Sequence, residues 1–153
     1  MPVKKAPDFS LPDETGHVWK LKDFRGKKLV LYFYPKDATP GCTVEACDFR
    51  DNMNRVVKAG AAVAGVSADS VESHRKFKEK QELNFPLLSD PDKKMLEAYG
   101  VWQEKSLYGR KFMGIVRTTL IIDEKGNIVK EFPKVKVTGH VDDVLAALKT
   151  LTP

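Results

Sequence analysis

Two apolar runs of β-prone residues constrain the fold of this chain most strongly. The first, "KLVLYFYP", spans residues 28–35, and the second, "AAVAGVSA", spans residues 61–68. Because neither run alternates with polar residues, each is typical of a strand buried on both faces of a sheet. Between them an apolar stripe at steps of three and four predicts an amphipathic helix that ends near Gly60. Its members are Ala46, Phe49, Met53, Val56 and Val57.

The flanking segments predict further strands and helices. Residues 7–27 alternate around Glu14-Thr15-Gly16, which indicates a β-hairpin followed by a turn at Gly26. The remaining elements are a helix opened by Ser70, a short extended piece in "FPLLSD", a short helix closed by Gly100, a hairpin formed by "GIVRTTLIID" and "NIVKEFP" around "EKG", and a last helix with Val141, Val144, Leu145 and Leu148 inward.

This order of elements predicts an α/β protein with a thioredoxin-like fold. A βαβ unit followed by a ββα unit places a central mixed β-sheet between helices, with the N-terminal hairpin beside it. The length of 153 residues fits one domain over residues 1–153. In open α/β sheets the reactive loops lie beyond the carboxyl ends of the strands. The segment after Tyr34 is such a loop, and it contains both cysteines.

Composition excludes several classes of protein. Lys and Arg outnumber Asp and Glu by 26 to 21, but the basic residues are scattered and often adjoin acids, so we expect no nucleic-acid partner. No apolar run approaches the roughly 18 residues of a membrane span, and "MPVKKAPDFS" has no signal-peptide core. We therefore expect a cytoplasmic protein, in which paired cysteines more often serve thiol chemistry or metal binding than a permanent crosslink.

The stretch "ATPGCTVEAC" places Cys42 at the start of the predicted helix. Thr39 suits the N-cap position, and Pro40 suits the first helical position. Gly41 leaves room for close approach of another group. Cys42 then falls in the first turn, where outward-pointing backbone N–H groups favour a thiolate over a thiol. A thiolate is the nucleophilic form of cysteine, so Cys42 is a candidate catalytic residue.

Cys47 follows five positions later. In an ideal helix this spacing separates the two Cα atoms by roughly 8 to 9 Å. A disulfide requires Cα atoms within about 7 Å, so the two sulfurs can bond only if the first turns of the helix unwind. This geometry argues against a permanent crosslink. The alternative is that Cys47 is simply a small buried apolar residue.

The pattern "PKDATPGCTVEAC" resembles the peroxiredoxin active-site motif P-x-x-x-T-x-x-C, with Pro35, Thr39 and Cys42 in the matching places. Together with Cys47, "YGVW" at 99–102 and "GIVRTTLIID" at 114–123, it is similar to the peroxiredoxin Q branch, also called bacterioferritin comigratory protein. The resemblance covers nearly the whole chain. It implies an atypical two-cysteine thiol peroxidase that acts without a metal or other cofactor.

The resemblance also implies a role for each matching residue. Cys42 would attack the O–O bond of a hydroperoxide and become a sulfenic acid, which Cys47 would resolve as an intramolecular disulfide. Thr39 would hydrogen-bond the thiolate and the peroxide, and Pro35 would shield the sulfur from water. Arg117, expected on a strand over 115–122, would place a positive charge beside Cys42, oriented by Glu45. Gly41 would belong to the substrate pocket.

The implied partners are a hydroperoxide substrate and a thioredoxin-type reductant protein. The closing residues "KTLTP" contain no cysteine and show no aromatic-capped extra helix, which favours resolution within one chain and a monomer.

Two other functions compete with this interpretation. A dithiol–disulfide oxidoreductase would favour a C-x-x-C spacing, which closes without unwinding a helix. A copper or zinc carrier would need a histidine, for which His140 is the best candidate, and zinc would need a fourth ligand that the sequence does not offer. The dispersed histidines, His17, His74 and His140, are otherwise predicted at the surface or at helix caps, and Trp19 and Trp102 in or beside the core.

Overall fold

Strand β4, the predicted buried run, lies near the centre of a six-stranded mixed sheet in this computed structural model, which describes residues 4–151. The sheet order is β1-β10-β9-β4-β5-β6, in which β4 is parallel to β5 and antiparallel to β9. The strands are β1 Lys4–Lys5, β2 Ser10–Pro12, β3 Val18–Lys20, β4 Lys28–Phe33, β5 Ala61–Ser67, β6 Leu87–Ser89, β7 Trp102–Leu107, β8 Arg110–Ile115, β9 Thr118–Ile122 and β10 Asn127–Phe132. The helices are α1 Pro40–Asp51, α2 Met53–Lys58, α3 Val71–Gln81, α4 Lys94–Ala98 and α5 His140–Leu151.

The alternation of side chains along β4 builds a core on each face of the sheet. Val30 and Tyr32 point into one core, which helices α1, α2, α3 and α5 complete. Leu29, Leu31 and Phe33 point into the other, which α4 and the N-terminal segment cover. Because both faces are covered, β4 has no polar side and reads as the continuous apolar run seen in the sequence. The thioredoxin-like fold with helices on both faces is confirmed.

Several local predictions are confirmed. The N-terminal hairpin forms from β2 and β3, and a second hairpin forms from β9 and β10. The side chain of Ser70 caps α3 by accepting a hydrogen bond from the amide of Ser73. Both tryptophans are half-buried against the core. The four apolar residues predicted to face inward from the last helix are buried: Val141, Val144, Leu145 and Leu148.

The helix predicted to run to Gly60 is instead broken at Asn52, so the single-helix prediction is wrong. The Asn52 side chain donates a hydrogen bond to the carbonyl of Asp48 at 2.8 Å, and Asn52 has φ −111° and ψ 10°. Asparagine competes in this way with the backbone of its own helix. The break changes the helical phase, and Val57, predicted on the buried stripe, is 63% exposed.

Arg117 does not lie on a strand, as the sequence predicted, but in the gap between β8 and β9. Residues 102–115 form a hairpin that the sequence analysis missed, and its turn is made by Tyr108 and Gly109 at φ 51° and 77°. Positive φ at both central residues of the turn matches the twist of the two strands. Because only one of these residues is glycine, the sequence indicated the turn only weakly. The chain leaves this hairpin at Ile115 and joins the main sheet at Thr118, which leaves Arg117 free to point elsewhere.

Within residues 4–151 no helix is long and apolar enough to cross a membrane. Of the closing residues "KTLTP", the last two lie outside the described residues.

Asp13 is predicted to stabilise the N-terminal hairpin, because its buried carboxylate accepts hydrogen bonds from Thr15, His17 and Trp19. Replacing Asp13 with alanine leaves those donors unpaired and should lower the free energy of unfolding by about 2 kcal/mol or more. Urea unfolding of the two proteins measures the difference. A loss below about 0.5 kcal/mol, the usual effect of a neutral surface change, would contradict this role.

Candidate active site

A loop over residues 34–39 leads from the carboxyl end of β4 to the first turn of α1, where the sequence predicted a reactive loop. Thr39 has the extended backbone of an N-cap, and Pro40 is the first helical residue. The Thr39 side chain makes no capping bond, and its hydroxyl donates to the carbonyl of Lys36 at 2.8 Å. Its oxygen keeps lone pairs that can accept another hydrogen bond. Pro35, which precedes this turn, is half-buried.

Cys42 is buried, and its sulfur lies against a guanidinium group. Arg117 Nη2 donates a hydrogen bond to Cys42 Sγ at 3.2 Å, and Arg117 Nη1 donates to Glu45 Oε1 at 2.7 Å. These residues are 75 and 72 positions apart in the chain, so the fold brings the charge to the sulfur. A positive charge and the start of a helix both favour the thiolate. The predicted contacts of Arg117 with Cys42 and Glu45 are therefore present.

Gly41 makes room for this arginine. A Cβ atom at Gly41 would lie 3.3 Å from Arg117 Nη2, closer than ordinary van der Waals contact. A larger side chain would push the guanidinium away from the sulfur. The glycine predicted to permit close approach thus permits the approach of a side chain of the same protein.

Burial sets the electrostatics of the Arg117–Glu45 pair. Burial opposes the charge of Arg117, but Glu45 and the Cys42 sulfur more than offset it, and the pKa of the guanidinium lies above its ordinary value. Burial also raises the pKa of Glu45 to about 7, although Arg117 acts in the opposite direction. Glu45 is 0% exposed, and its Oε2 has no partner within the described residues. Glu45 is therefore a carboxyl group held largely by one arginine.

Cys47 lies on the same helix, with its thiol free. Its Sγ donates to Gln81 Oε1 at 3.5 Å, and α1 runs unbroken through both cysteines. The side chain is half-buried, so it is neither a fully enclosed core residue nor a freely exposed one. The structure thus has both sulfurs reduced and the intervening helix intact.

Two of the histidines predicted at the surface or at caps are buried, so that prediction is wrong for them. His74 is 0% exposed and lies beside Asp37, and His140 is 4% exposed and shares a hydrogen bond with Thr119. Each ring completes a hydrogen-bonded pair inside the protein, which single-sequence patterns do not reveal. Among residues 4–151 one group of side chains has the spacing of a metal site, and it contains neither cysteine nor His140: Asp37, Asp69 and His74.

Lys105 is a neighbour of the site that the sequence analysis missed. Burial and the Arg117 charge lower the pKa of Lys105, while the Cys42 sulfur acts in the opposite direction. Lys105 lies on β7, in the hairpin that was itself missed, so its proximity could not be expected. Gly109 was the one turn signal there, and it is weak because residues 102–107 show no alternation of apolar and polar residues.

Glu45 should make the stability of the protein depend on pH. Between the ordinary pKa of 4.5 and the folded value of about 7, the folded chain holds a proton that the unfolded chain releases. The free energy of unfolding therefore falls as pH rises through this window, by up to roughly 1.4 kcal/mol per pH unit. Urea unfolding of the native protein and of Glu45→Gln at several pH values measures the difference between them.

The comparison with Glu45→Gln removes other contributions to the slope. His140, whose burial lowers its pKa to about 4, imposes an opposite slope on both proteins, and this cancels in the difference. Parallel stability curves for the two proteins between pH 5 and 7 would show that Glu45 titrates as an ordinary carboxyl.

Comparisons with known proteins agree with this geometry. Residues 2–131 match the model of the AhpC/TSA family. The chain is 53% identical to a putative peroxiredoxin of Coxiella burnetii, over 95% of this chain and 96% of that protein. It is 50% identical to peroxiredoxin Bcp of Bacillus subtilis, over 97% of this chain and 95% of that protein. A solved structure of Xanthomonas campestris bacterioferritin comigratory protein, described for its alkyl peroxide reduction activity, superposes with a TM-score of 0.91 at 45% identity, covering 95% of this chain and 92% of that one.

Family resemblance over almost the entire length thus accompanies a cysteine held against an arginine at the start of a helix. The chain belongs to the AhpC/TSA family, as a peroxiredoxin of the bacterioferritin comigratory protein and peroxiredoxin Q branch, and is a thiol peroxidase.

Proposed function

We propose that Cys42 is the peroxidatic residue and that it reduces hydrogen peroxide and organic hydroperoxides. Its thiolate attacks one oxygen of the O–O bond, the other oxygen leaves as water or an alcohol after gaining a proton, and the sulfur becomes a sulfenic acid. The observation that carries this proposal is the 3.2 Å contact between Arg117 Nη2 and Cys42 Sγ. A buried thiolate requires a counter-charge, and Arg117 provides it.

Arg117 and Thr39 would divide the work of binding the peroxide. The guanidinium has five N–H donors, of which one is directed to Cys42 and another to Glu45, so it retains donors for a peroxide oxygen. The Thr39 oxygen can accept the hydrogen bond of the peroxide O–H group, since its own proton is directed to Lys36. Pro35 would limit the access of water to the same loop.

Cys47 would resolve the sulfenic acid. Attack by its thiolate on the Cys42 sulfur forms a disulfide and breaks the S–O bond, and the sulfenic oxygen leaves as hydroxide, which takes a proton from solvent to become water. Both cysteines lie in the unbroken α1, where five residues span a rise of about 7.5 Å and leave the Cα atoms too far apart for a bond. Unwinding of α1 is therefore part of the proposed cycle.

A thioredoxin-type protein would return both sulfurs to thiols by disulfide exchange, which supplies the two electrons for each peroxide reduced. A protein reductant needs an accessible disulfide, and the half-buried Cys47 would become exposed when α1 unwinds. We further propose that the enzyme works as a monomer in the cytoplasm, where such reductants keep thiols reduced.

Substitution of each cysteine separates the two steps. Cys42→Ser should abolish peroxide consumption, since the serine hydroxyl is a much weaker nucleophile than the cysteine thiolate. Cys47→Ser should consume one equivalent of peroxide and then stop, until a small thiol such as dithiothreitol restores turnover. A stopped-flow peroxide assay, with mass analysis for the bond between residues 42 and 47, measures both outcomes. Full thioredoxin-coupled turnover by Cys42→Ser would disprove the assignment.

Arg117→Ala should slow the reaction of the reduced enzyme with hydrogen peroxide by about 100-fold, the usual effect of removing one charge-stabilising donor. A smaller fraction of Cys42 should also be alkylated by iodoacetamide at neutral pH, because less thiolate is present. Arg75→Ala is the matched control, since Arg75 lies exposed on α3 and pairs with Glu72 and Glu79. Equal rates for the Arg117 and Arg75 variants would remove Arg117 from the mechanism.

A further inference from the structure

A buried cluster of polar side chains holds the segment that leads into Cys42, and the peroxide chemistry proposed above does not use it. His74 Nδ1 lies 2.7 Å from Asp37 Oδ2, and His74 Nε2 lies 2.9 Å from the carbonyl oxygen of Leu88. Asp37 and His74 are 6% and 0% exposed. Both ring nitrogens thus lie within hydrogen-bond distance of an oxygen, so the ring is fixed at two points.

Asp37 connects the loop to three elements of the scaffold. Its carboxylate accepts hydrogen bonds from the Tyr34 hydroxyl at 2.6 Å and from Ser73 Oγ at 2.8 Å. Its own amide donates to Asp69 Oδ2 at 2.8 Å, and Ser67 Oγ donates to the same oxygen. The loop is thereby fixed to the end of β4, to the first turn of α3 and to the end of β5. A buried carboxylate is tolerated when it is paired and hydrogen-bonded in this way.

The residue that follows Asp37 is strained. Ala38 has φ 62°, in the left-handed region that is unfavourable for residues with a Cβ. Such a conformation persists only where surrounding contacts determine it. Ala38 is exposed, so the constraint comes from its neighbours: Asp37 before it, and Thr39, whose hydroxyl donates back to Lys36. The strained residue turns the chain directly into the first turn of α1.

We propose that Asp37 and His74 are positioning residues for the peroxidase reaction. Their contacts hold residues 36–39 in the conformation that directs the first turn of α1, and with it Cys42 Sγ, toward Arg117. The inference rests on the proposed role of Cys42 and adds to it the groups that set the position of the sulfur.

The test compares the first turnover of reduced proteins with hydrogen peroxide. Asp37→Ala removes the carboxylate that contacts Tyr34, Ser73 and His74. It should lower the rate constant by about 10- to 100-fold, the effect expected when a reacting group shifts by about 1 Å. Asp37→Asn should keep most of the native rate, because its amide oxygen can accept from the Tyr34 hydroxyl and its amide nitrogen can donate to His74 Nδ1. Tyr34→Phe removes one hydrogen bond, retains the ring, and should cause a smaller loss than Asp37→Ala. Tyr34→Phe also tests the proposal if the Asp37→Ala protein fails to fold.

Asp13→Ala is the matched control. Asp13 is 5% exposed and, like Asp37, accepts several hydrogen bonds, but all of them come from residues 15–19. It should lose stability without changing the peroxide rate or the alkylation of Cys42 at neutral pH. Asp37→Ala or Tyr34→Phe rates no lower than that of Asp13→Ala would overturn the proposal. The proposal would also be overturned if the Asp37→Asn protein reacted with peroxide as slowly as the Asp37→Ala protein. A native enzyme whose Cys42 does not react with peroxide would instead contradict the proposed function itself.

Discussion

The guanidinium group of Arg117, placed between a carboxylate and a sulfur, is the interaction on which the site depends. Glu45 and Cys42 lie on one helix, three residues apart, so they present their side chains to the same neighbour. Arg117 comes from a distant segment and meets both. Gly41 makes room for the contact, since a Cβ atom there would lie 3.3 Å from the guanidinium. The contact also requires the gap between β8 and β9, which releases Arg117 from the pleat of the sheet.

The site therefore combines a rigid part with a part that the proposed cycle would unwind. The loop before Thr39 is fixed by buried, charge-assisted hydrogen bonds around Asp37. The first turn of α1, by contrast, has no side-chain cap and no acidic residue. It is held by Arg117, by packing and by the two hydrogen bonds that Thr43 donates to the Thr39 carbonyl. Differences of this kind in local hydrogen bonding are what allow one segment of a protein to open while its neighbours stay folded. The proposed redox cycle needs such a boundary.

Sequence patterns predicted the central strands, the hairpins at either end and the location of Cys42, because these follow from local periodicity and from the chemistry of helix starts. They failed where distant groups decide the outcome. The burial of His74 depends on Asp37 and on the carbonyl of Leu88, which no local pattern connects. Arg117 was placed on a strand because its neighbours are apolar, although the chain changes sheets at that point. The contact of Arg117 with Cys42 came from the family resemblance and not from the spacing of residues.

The break at Asn52 has a mechanical consequence for the enzyme. Because α1 ends at Asp51 and a separate α2 begins at Met53, the two helices do not form one continuous rod. Val56, on α2, is fully buried in the core and anchors α2 beyond the break at Asn52. In the proposed cycle, unwinding of the segment that carries the two sulfurs stops at Asn52 and is confined to the 12 residues of α1. The proposal thus leaves α2 packed in the core.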